Sequence, residues 1–205
     1  MKIAILADDL QKKELAFENQ AIEKIWADNF PAFIREDADV YFDYLFENSP
    51  ERIEALEKLE GIVIINSVID TLEEISSKNN FVRINGWNGF RNNSLKEIAT
   101  TNEANAIQLF DALGWPFKIV PDIPGFLTPR VIAMIINEAY FTLEADVSTK
   151  EEIDIAMKLG TNYPYGPFEW SEKVGLKNIH QLLLKLSKTN RRYIPCDLLI
   201  KEAAF

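Results

Sequence analysis

The sequence predicts an α/β domain with a mostly parallel sheet, followed by an all-helical domain. Short apolar runs alternate with amphipathic helical segments up to about residue 120, which is typical of parallel sheets. Strand signals stop after Pro124, and only helical patterns follow. The prolines of the segment 121–124 mark the change between the two patterns. We therefore place the domains at residues 1–120 and 121–205.

The first domain is predicted from buried strands and the helices that connect them. The apolar run at residues 3–6 suits a buried parallel strand, and Gly61 ends a helix before the next such run. Phe17, Ala21 and Ile25 are spaced four apart, which indicates a first helix over residues 10–27. Strands are predicted at 3–6, 39–46, 62–65, 81–84 and 118–120. Helices are predicted at 10–27, 50–59, 72–77 and 101–113, the last closed by Gly114.

The second domain is predicted to contain helices alone. An apolar helix spans residues 131–143, and a leucine-rich helix spans residues 178–188. Between them, the run from Ser148 to Glu151 reads as a capping box that opens a helix through Lys158, which Gly160 ends.

Composition excludes several classes of function. The formal charge of −10 argues against nucleic acid and against an anionic membrane surface as partners. No apolar run approaches the roughly 20 residues of a membrane span, and Met1 is followed at once by a strand, so neither a spanning helix nor a signal peptide is expected. The single cysteine, Cys196, cannot form an intrachain disulfide, which fits a reducing cytoplasm; a reactive thiol is the alternative.

The run Glu152–Trp170 is too particular for a generic helix. It reads EIDIAMKLGTNYPYGPFEW, and together with Pro124-Gly125-Phe126 before it and Val174-Gly175-Leu176 after it, it resembles the C-terminal domain of the 3-hydroxyacyl-CoA dehydrogenases. The resemblance is strong over residues 124–176, moderate over 39–120 and weak over 1–38. It implies a reduced Rossmann-like first domain, NAD(H) as the family's cofactor, and NAD-dependent oxidation of a 3-hydroxyacyl-CoA as the parent reaction. It also implies a homodimer formed through the helical domain.

The glycine-rich loop of that family is altered in this chain. Family members have Gly-x-Gly-x-x-Gly after the first strand, where the backbone approaches the pyrophosphate. Here Ala7, Asp9 and Lys12 occupy the glycine positions, and Asp8 and Asp9 bring carboxylates to the phosphate site. Asp9 reads as the helix N-cap. Because the first helix takes most of the residues before Asp39, we also expect the second strand, with its ribose-binding acid, to be missing. No cofactor is therefore expected.

Three of the four active-site positions implied by the resemblance are also changed. Asn85 stands in place of the family's histidine base, Val68 in place of its serine, and Pro129 in place of its asparagine. Glu97 keeps the position of the carboxylate that orients the base, with a solvated carboxylate as the alternative interpretation. Asn66, Ser67 and Asn88 are candidate ligand contacts, and a one-residue slip would let Ser67 replace the serine. Read alone, Asn85-Gly86 and Asn88-Gly89 are turn signals, and His180 is an ordinary surface or interface histidine.

The sequence leaves three functional hypotheses open. In the first, the chain is a degenerate member of the family that binds an acyl-CoA-like ligand or a partner. In the second, it is an active NAD-dependent oxidoreductase on an acyl-CoA-like or small 3-hydroxy substrate, with a rearranged site that uses Glu97 and Ser67. In the third, it is a structural subunit that pairs with a complete dehydrogenase. No metal site is expected from its residues.

Overall fold

The computed structural model describes residues 1–15, 21–91 and 93–204. The chain divides into two compact units, Met1–Phe126 and Leu127–Phe205. The division comes after Phe126 rather than at residue 120, so the segment around the prolines lies with the first unit.

The first unit contains a seven-stranded sheet. Its strands are β1 (Lys2–Leu6), β2 (Glu23–Ala27), β3 (Val40–Asp43), β4 (Ile62–Ile65), β5 (Phe81–Ile84), β6 (Lys96–Thr100) and β7 (Phe117–Ile119). They lie in the order β2-β1-β3-β4-β5-β6-β7, and every pair is parallel except β5 with β6. The predicted class, a mostly parallel α/β sheet followed by helices, is confirmed.

Helices cover both faces of this sheet. They are α1 (Asp9–Glu14), α2 (Phe30–Phe33), α3 (Pro50–Leu56), α4 (Leu72–Ile75) and α5 (Glu103–Leu113). One apolar core joins Ile5 and Phe42 to Phe110 of α5, and the opposite core joins Leu6 and Phe33 to strands β3 and β4. Central strands buried on both faces read as continuous apolar runs, which is why the sequence reveals them. Each fully buried aliphatic or aromatic side chain stabilises the fold by about 1.5–3 kcal/mol.

The prediction of a first helix over residues 10–27 is wrong after Glu14. Helix α1 ends at Glu14, and Glu23–Ala27 forms strand β2 beside β1. Phe17, on which the helical pattern partly rested, lies outside the described residues. Ile25 and Trp26 are β-branched and aromatic, and strands favour such residues. The four-residue spacing that predicted a helix therefore arose by chance in a segment that forms an edge strand. The second strand, expected to be missing, is therefore present.

Two further elements differ from the prediction. Strand β6 was not predicted, because Lys96–Thr100 has no alternation of polar and apolar residues; it pairs antiparallel with β5. The short helix α2, which Asn29 caps by accepting a hydrogen bond from the Ala32 N–H at 2.9 Å, was also missed. Helix α5 ends as predicted at Gly114, whose φ of 68° is the left-handed conformation that favours glycine.

A buried ion pair fixes the end of the first unit. Arg83 on β5 is fully buried, and its guanidinium binds Asp122 and the backbone carbonyls of Ser67 and Val68. Asp122 also accepts hydrogen bonds from the N–H groups of Leu72, at 2.8 Å, and Glu73, so it caps helix α4. Burial lowers the pKa of Arg83, and the carboxylate of Asp122 opposes that shift. The network ties the carboxyl ends of β4 and β5 to the segment after β7.

The second unit is helical in its described residues. Its helices are α6 (Thr128–Glu144), α7 (Lys150–Thr161), α8 (Pro167–Val174), α9 (Leu176–Ser187) and α10 (Asp197–Ala203). Buried apolar side chains lie at helical spacing on α6 and α9, and Leu182 and Leu183 are inaccessible to solvent. Helices α8 and α10 were not predicted. Within the described part of the chain, no helix combines the length and hydropathy that crossing a bilayer requires.

The predicted capping box of α7 is shifted by one residue. Thr149, not Ser148, is the N-cap, because its hydroxyl accepts from the Glu152 N–H at 3.2 Å while the Glu152 carboxylate accepts from the Thr149 N–H at 3.3 Å. The Ser148 hydroxyl donates to the same carboxylate at 2.8 Å. The helix continues past Gly160 to Thr161, and Asn162, with φ of 56°, takes the left-handed position after it.

Candidate functional site

The candidate site lies at the carboxyl edge of the sheet in the first unit. In open α/β sheets, ligands bind beyond the carboxyl ends of the strands, where the strand order reverses. Here the order reverses between β1 and β3. The turn after β1, Tyr44 after β3, Asn66 after β4 and Asn85 after β5 all meet at this edge.

The turn between β1 and α1 is closed by a side-chain cap. Asp8 Oδ1 accepts from the Gln11 N–H at 2.7 Å, and Gln11 Oε1 accepts from the Asp8 N–H at 2.9 Å. The N-cap is therefore Asp8, and the prediction that Asp9 takes this role is wrong, because Asp8 has the extended backbone of a cap and Asp9 is already helical. A carboxylate of the chain itself thus uses an N–H group that would otherwise face a phosphate.

The backbone carbonyl of Tyr44 is the centre of a polar network in the crevice. It accepts hydrogen bonds from Gln11 Nε2 and from Asn66 Nδ2, both at 3.3 Å. Asn66 Oδ1 in turn accepts from the Gly86 N–H at 3.0 Å. A Cβ at Gly86 would lie 2.8 Å from the Asn66 carboxamide, so this approach requires glycine. Asn66, a predicted ligand contact, therefore ties three strand ends together.

Arg91 closes the crevice from the loop after β5. Its side chain is almost fully buried; Nε donates to Glu14 Oε2 on α1 at 2.5 Å, and another guanidinium nitrogen donates to the Gly86 carbonyl at 3.2 Å. Burial raises the pKa of the neighbouring Tyr44 hydroxyl, and the charge of Arg91 opposes that rise. Sequence reasoning missed both Arg91 and Glu14, because their pairing joins residues distant in sequence.

Asn85 and Glu97 are neighbours across β5 and β6. The Asn85 N–H donates to the Glu97 carbonyl at 3.1 Å, which extends the antiparallel ladder, so the two side chains lie on the same face. Both residues are buried, and Asn85 Oδ1 has no hydrogen-bond partner within the described chain. The two positions are therefore adjacent in the sheet. The predicted turn at Asn85-Gly86 is absent, because this segment prolongs the strand.

The other predicted positions serve the local structure. The Ser67 hydroxyl donates to the Asp70 carbonyl at 3.0 Å, and Val68 is buried, with its carbonyl accepting from the Gly125 N–H at 2.8 Å. Asn88 is half-buried in a tight turn in which the Phe90 N–H donates to the Trp87 carbonyl and Gly89 has φ of 90°. Pro129 is buried in the first turn of α6, in the second unit.

Asp28 is a candidate residue that sequence reasoning missed. It comes directly after β2, and because Ala27 pairs with Leu6, Asp28 lies beside the turn after β1. It is exposed to solvent. An acidic residue at the end of the second strand, about 20 residues after the glycine loop, is the one that binds the ribose in dinucleotide sites. The spacing from Ala7 could have revealed it, but the helical pattern assigned to this segment concealed the strand end.

The characteristic motif of the second unit has a structural explanation. Asp154 on α7 accepts hydrogen bonds from the N–H groups of Phe168, at 2.8 Å, and Glu169, at 3.1 Å, so it caps the start of α8. A Cβ at Gly166 would lie 2.3 Å from the Asp154 carboxylate. Lys158 forms an ion pair with Glu169. The motif therefore fixes the angle between two helices.

Comparison with known proteins shows which family this chain is similar to. Residues 125–203 match the family model described as 3-hydroxyacyl-CoA dehydrogenase, C-terminal domain. The 3-hydroxyadipyl-CoA dehydrogenase of Escherichia coli (strain K12) is 45% identical over 86 residues, which are 41% of this chain and 18% of that protein. A probable 3-hydroxyacyl-CoA dehydrogenase of Caenorhabditis elegans is 30% identical over 157 residues, 69% of this chain and 51% of that protein. The chain thus spans about half or less of these curated relatives.

Solved structures share the fold. The (S)-3-hydroxybutyryl-CoA dehydrogenase from Ralstonia eutropha superposes with a TM-score of 0.75 at 19% identity, over 99% of this chain and 93% of that chain. The 3-hydroxybutyryl-CoA dehydrogenase from Escherichia coli K12 superposes with a TM-score of 0.59 at 33% identity, over 69% of this chain and 31% of that chain.

Proposed function

Because the chain is a relative of the 3-hydroxyacyl-CoA dehydrogenases and carries their C-terminal domain at residues 125–203, we propose that it is a member that has lost dehydrogenase chemistry. In this proposal it acts as a binding or assembly protein, whose ligand is acyl-CoA-like or whose partner is another subunit. The observation that carries the proposal is the closed crevice. Arg91 pairs with Glu14 across the switch point, and the carbonyl of Tyr44 accepts a hydrogen bond from the side chain of Gln11.

The altered crevice argues against NAD(H) bound in the family manner. A dinucleotide pyrophosphate needs free N–H groups and close backbone approach at the start of α1. There, Asp8 already takes the Gln11 N–H, and Asp9 adds a second carboxylate in the first turn. Asp28 is an acidic residue of the type that binds the ribose. We therefore assign the loss of NAD(H) binding to the pyrophosphate and nicotinamide end of the site.

The position of the base supports the same conclusion. Oxidation of a hydroxyl to a ketone needs a group that takes the hydroxyl proton as hydride leaves. Asn85 carries a neutral carboxamide, which does not titrate near pH 7. Loss of a general base typically costs about 10²–10⁴ in rate. Glu97 remains beside Asn85, and this pairing favours the second candidate, an oxidoreductase in which Glu97 and Ser67 serve a rearranged site.

We further propose a homodimer formed through the helical unit. Its support is a set of exposed apolar side chains on α6, on α7 and between them. They are Val131, Phe141, Val147, Ile155 and Leu159, the last 83% exposed. Exposed apolar residues grouped on neighbouring elements are typical of interaction surfaces. A complete dehydrogenase subunit is the alternative partner for this surface.

Calorimetric titration with NADH, followed by acetoacetyl-CoA, tests the proposed function. We expect no saturable heat with NADH, and no NADH oxidation when both compounds are present. Binding of acetoacetyl-CoA would identify a ligand-binding role, and its absence would leave assembly. NADH binding tighter than about 1 mM, equivalent to about 4 kcal/mol, together with turnover, would overturn the proposal in favour of the rearranged oxidoreductase.

A further inference from the structure

A cavity opens in the second unit among helices α6, α7, α8 and α10. Its volume is about 220 Å³. Because one molecule of liquid water occupies about 30 Å³, a ligand of roughly seven heavy atoms fits this space. The side chains that bear on its chemistry are Tyr140, Lys150, Phe168, Glu172, Leu176 and Glu202. All of them belong to the second unit, so the cavity is separate from the crevice of the first unit.

Two aromatic rings of this cavity face an ammonium group of the chain itself. The rings of Tyr140 and Phe168 lie edge to face, with their centroids 5.1 Å apart. Lys150 Nζ lies 5.5 Å from the centroid of Tyr140 and 5.4 Å from that of Phe168. Aromatic faces attract cations within about 6 Å of the ring centroid. The lining of the cavity therefore already has the chemistry that binds an ammonium group.

A carboxylate completes the surroundings of Lys150. Its ammonium donates hydrogen bonds to Glu202 Oε1 at 2.9 Å and to Glu202 Oε2 at 2.7 Å. The Tyr140 hydroxyl donates to the same Oε2 at 2.7 Å. Charge-assisted hydrogen bonds of this kind are stronger than those between neutral groups. Glu202 is therefore neutralised by Lys150, and its oxygens already have donors.

Glu172 is a second carboxylate of the same cavity. It is exposed to solvent, and it forms no ion pair with any residue that the structure describes. With Lys150 and Glu202, the lining groups carry two negative charges and one positive charge. A ligand with a single positive charge would balance them.

The lysines closest to Glu172 along its groove are engaged elsewhere. Lys158 forms an ion pair with Glu169. Lys173 Nζ lies over the ring of Tyr165, at 4.4 Å from its centroid. The charge of Glu172 therefore remains available to a ligand.

We propose that this cavity binds a small organic ammonium ion. The cation pairs with Glu172, and its carbon substituents pack against Phe168 and Leu176. The ammonium of Lys150 shares the cavity with the ligand, so repulsion between the two positive charges limits the affinity. The inference does not depend on the proposed function, because no residue of the crevice takes part.

Calorimetric titration of the purified chain with choline, which is of this size, and with ethanolamine tests the inference. We expect saturable heat with at least one of them. Heat with choline alone would identify a quaternary ammonium ligand, and heat with ethanolamine alone a primary amine. Heat with both would identify ammonium ions in general, and each of these results supports the inference. The neutral analogue of choline, in which a carbon atom replaces the nitrogen, should give no saturable heat.

Two substitutions in the cavity should change the affinity in opposite directions. Glu172→Gln keeps the size of the side chain and removes its charge, so binding should weaken about fivefold, as for an exposed ion pair. Lys150→Met removes the competing ammonium and leaves the two rings and Glu202 to the ligand, so binding should tighten at least about fivefold. Glu54→Gln removes an exposed carboxylate of the first unit, with the same change in net charge as Glu172→Gln, and should leave the affinity unchanged.

Four results would overturn the inference. The first is the absence of saturable heat with both cations, and the second is equal heat with the neutral analogue, which would indicate an apolar cavity without selection for charge. The third is a Glu172→Gln chain that binds as tightly as the parent. The fourth is a Lys150→Met chain that is folded, as judged by thermal unfolding, and binds no more tightly than the parent.

Discussion

Arg91 and Glu14 are separated by 77 positions in the sequence and form an ion pair that joins the loop after β5 to the helix after β1. The pair crosses the point where strand order reverses, which is where this class of sheet binds its ligands. The structure thus places an ion pair between two of its own side chains at this point.

Removing one partner of this pair should destabilise the first unit. Arg91→Met leaves the largely buried carboxylate of Glu14 without its partner, and we expect a loss of about 2–4 kcal/mol in the free energy of unfolding. Urea denaturation measures it. The double variant Arg91→Met/Glu14→Met should recover part of the loss, because no unpaired charge remains. A single variant as stable as the parent would contradict the role given to the pair. Lys58→Met, in an exposed pair, should change nothing measurable.

The two asparagines of the crevice should respond differently to substitution by leucine. Asn66→Leu leaves the Tyr44 carbonyl and the Gly86 N–H with fewer partners, and we expect a loss of about 2–4 kcal/mol. Asn85→Leu removes a carboxamide oxygen that has no partner in the described chain, so it should cost less than about 1 kcal/mol. Chemical denaturation of both variants checks the contrast. Equal losses would mean that Asn85 has a structural partner after all.

Gly166 and Gly160 provide a matched test of the helical motif. Gly166→Ala would force a Cβ against the Asp154 carboxylate and disturb the cap of α8, so we expect a loss of about 1–3 kcal/mol. Nothing lies within 4 Å of a Cβ at Gly160, which is inside α7, so Gly160→Ala should be neutral or stabilise by up to about 1 kcal/mol. Thermal unfolding distinguishes the two. Equal effects would contradict the close contact at Gly166.

The attachment of α10 should weaken in acid. Burial raises the pKa of Glu202, but hydrogen bonds from Lys150 and Tyr140 outweigh it and hold the pKa below its usual 4.5. A lowered pKa in the folded state means that the stabilisation is complete above 4.5 and is lost as pH falls through the folded-state value. Lys150 and Glu202 are 38% and 34% exposed, so the effect should be at most about 1 kcal/mol. Glu202→Gln should remove this part of the pH dependence; an unchanged acid limb would contradict the assignment.

Leu159 tests the proposed dimer surface. Leu159→Asp places a charge on an apolar side chain that is 83% exposed, so it should shift a dimer to monomer without lowering the stability of the helical unit. Sedimentation velocity measures the shift. Ile107→Asp, on an exposed position of the first unit, is the control and should leave the assembly unchanged. A parent chain that is already monomeric at micromolar concentration would exclude the dimer.

The parts of the fold that sequence could predict are those with one dominant local signal. The runs Ile62–Ile65 and Phe81–Ile84 are buried on both faces, so apolar content alone indicates strands. Strand β2 could not be found in this way, because an edge strand carries exposed polar residues, and its short apolar pattern also fits a helix. The acidic residue Asp28, directly after Ala27, was the one local sign of a strand end in this segment.

The residue replacements at the candidate site could be predicted from the sequence, but the contacts between its side chains could not. The absence of a histidine at Asn85 and of glycines at Ala7 and Asp9 is evident once residue types are aligned to a motif. That Arg91 reaches Glu14, or that Tyr44 offers its carbonyl to Gln11, depends on which strand ends the sheet topology brings together. Such contacts are properties of the strand order and leave no periodic pattern in the sequence.

The position of β2 at the end of the sheet bears on how this fold can shorten without aggregating. The usual dinucleotide-binding order places a further strand outside the second one, and in this chain β2 ends the described sheet. Loss of an outermost strand leaves the hydrogen bonds between the inner strands intact. It also exposes a new sheet edge that can pair with strands of other chains. Glu23 and Lys24 on that margin are charged and exposed, and charges of this kind discourage edge-to-edge association. The exposed charges of β2 therefore protect the sheet edge that this strand forms.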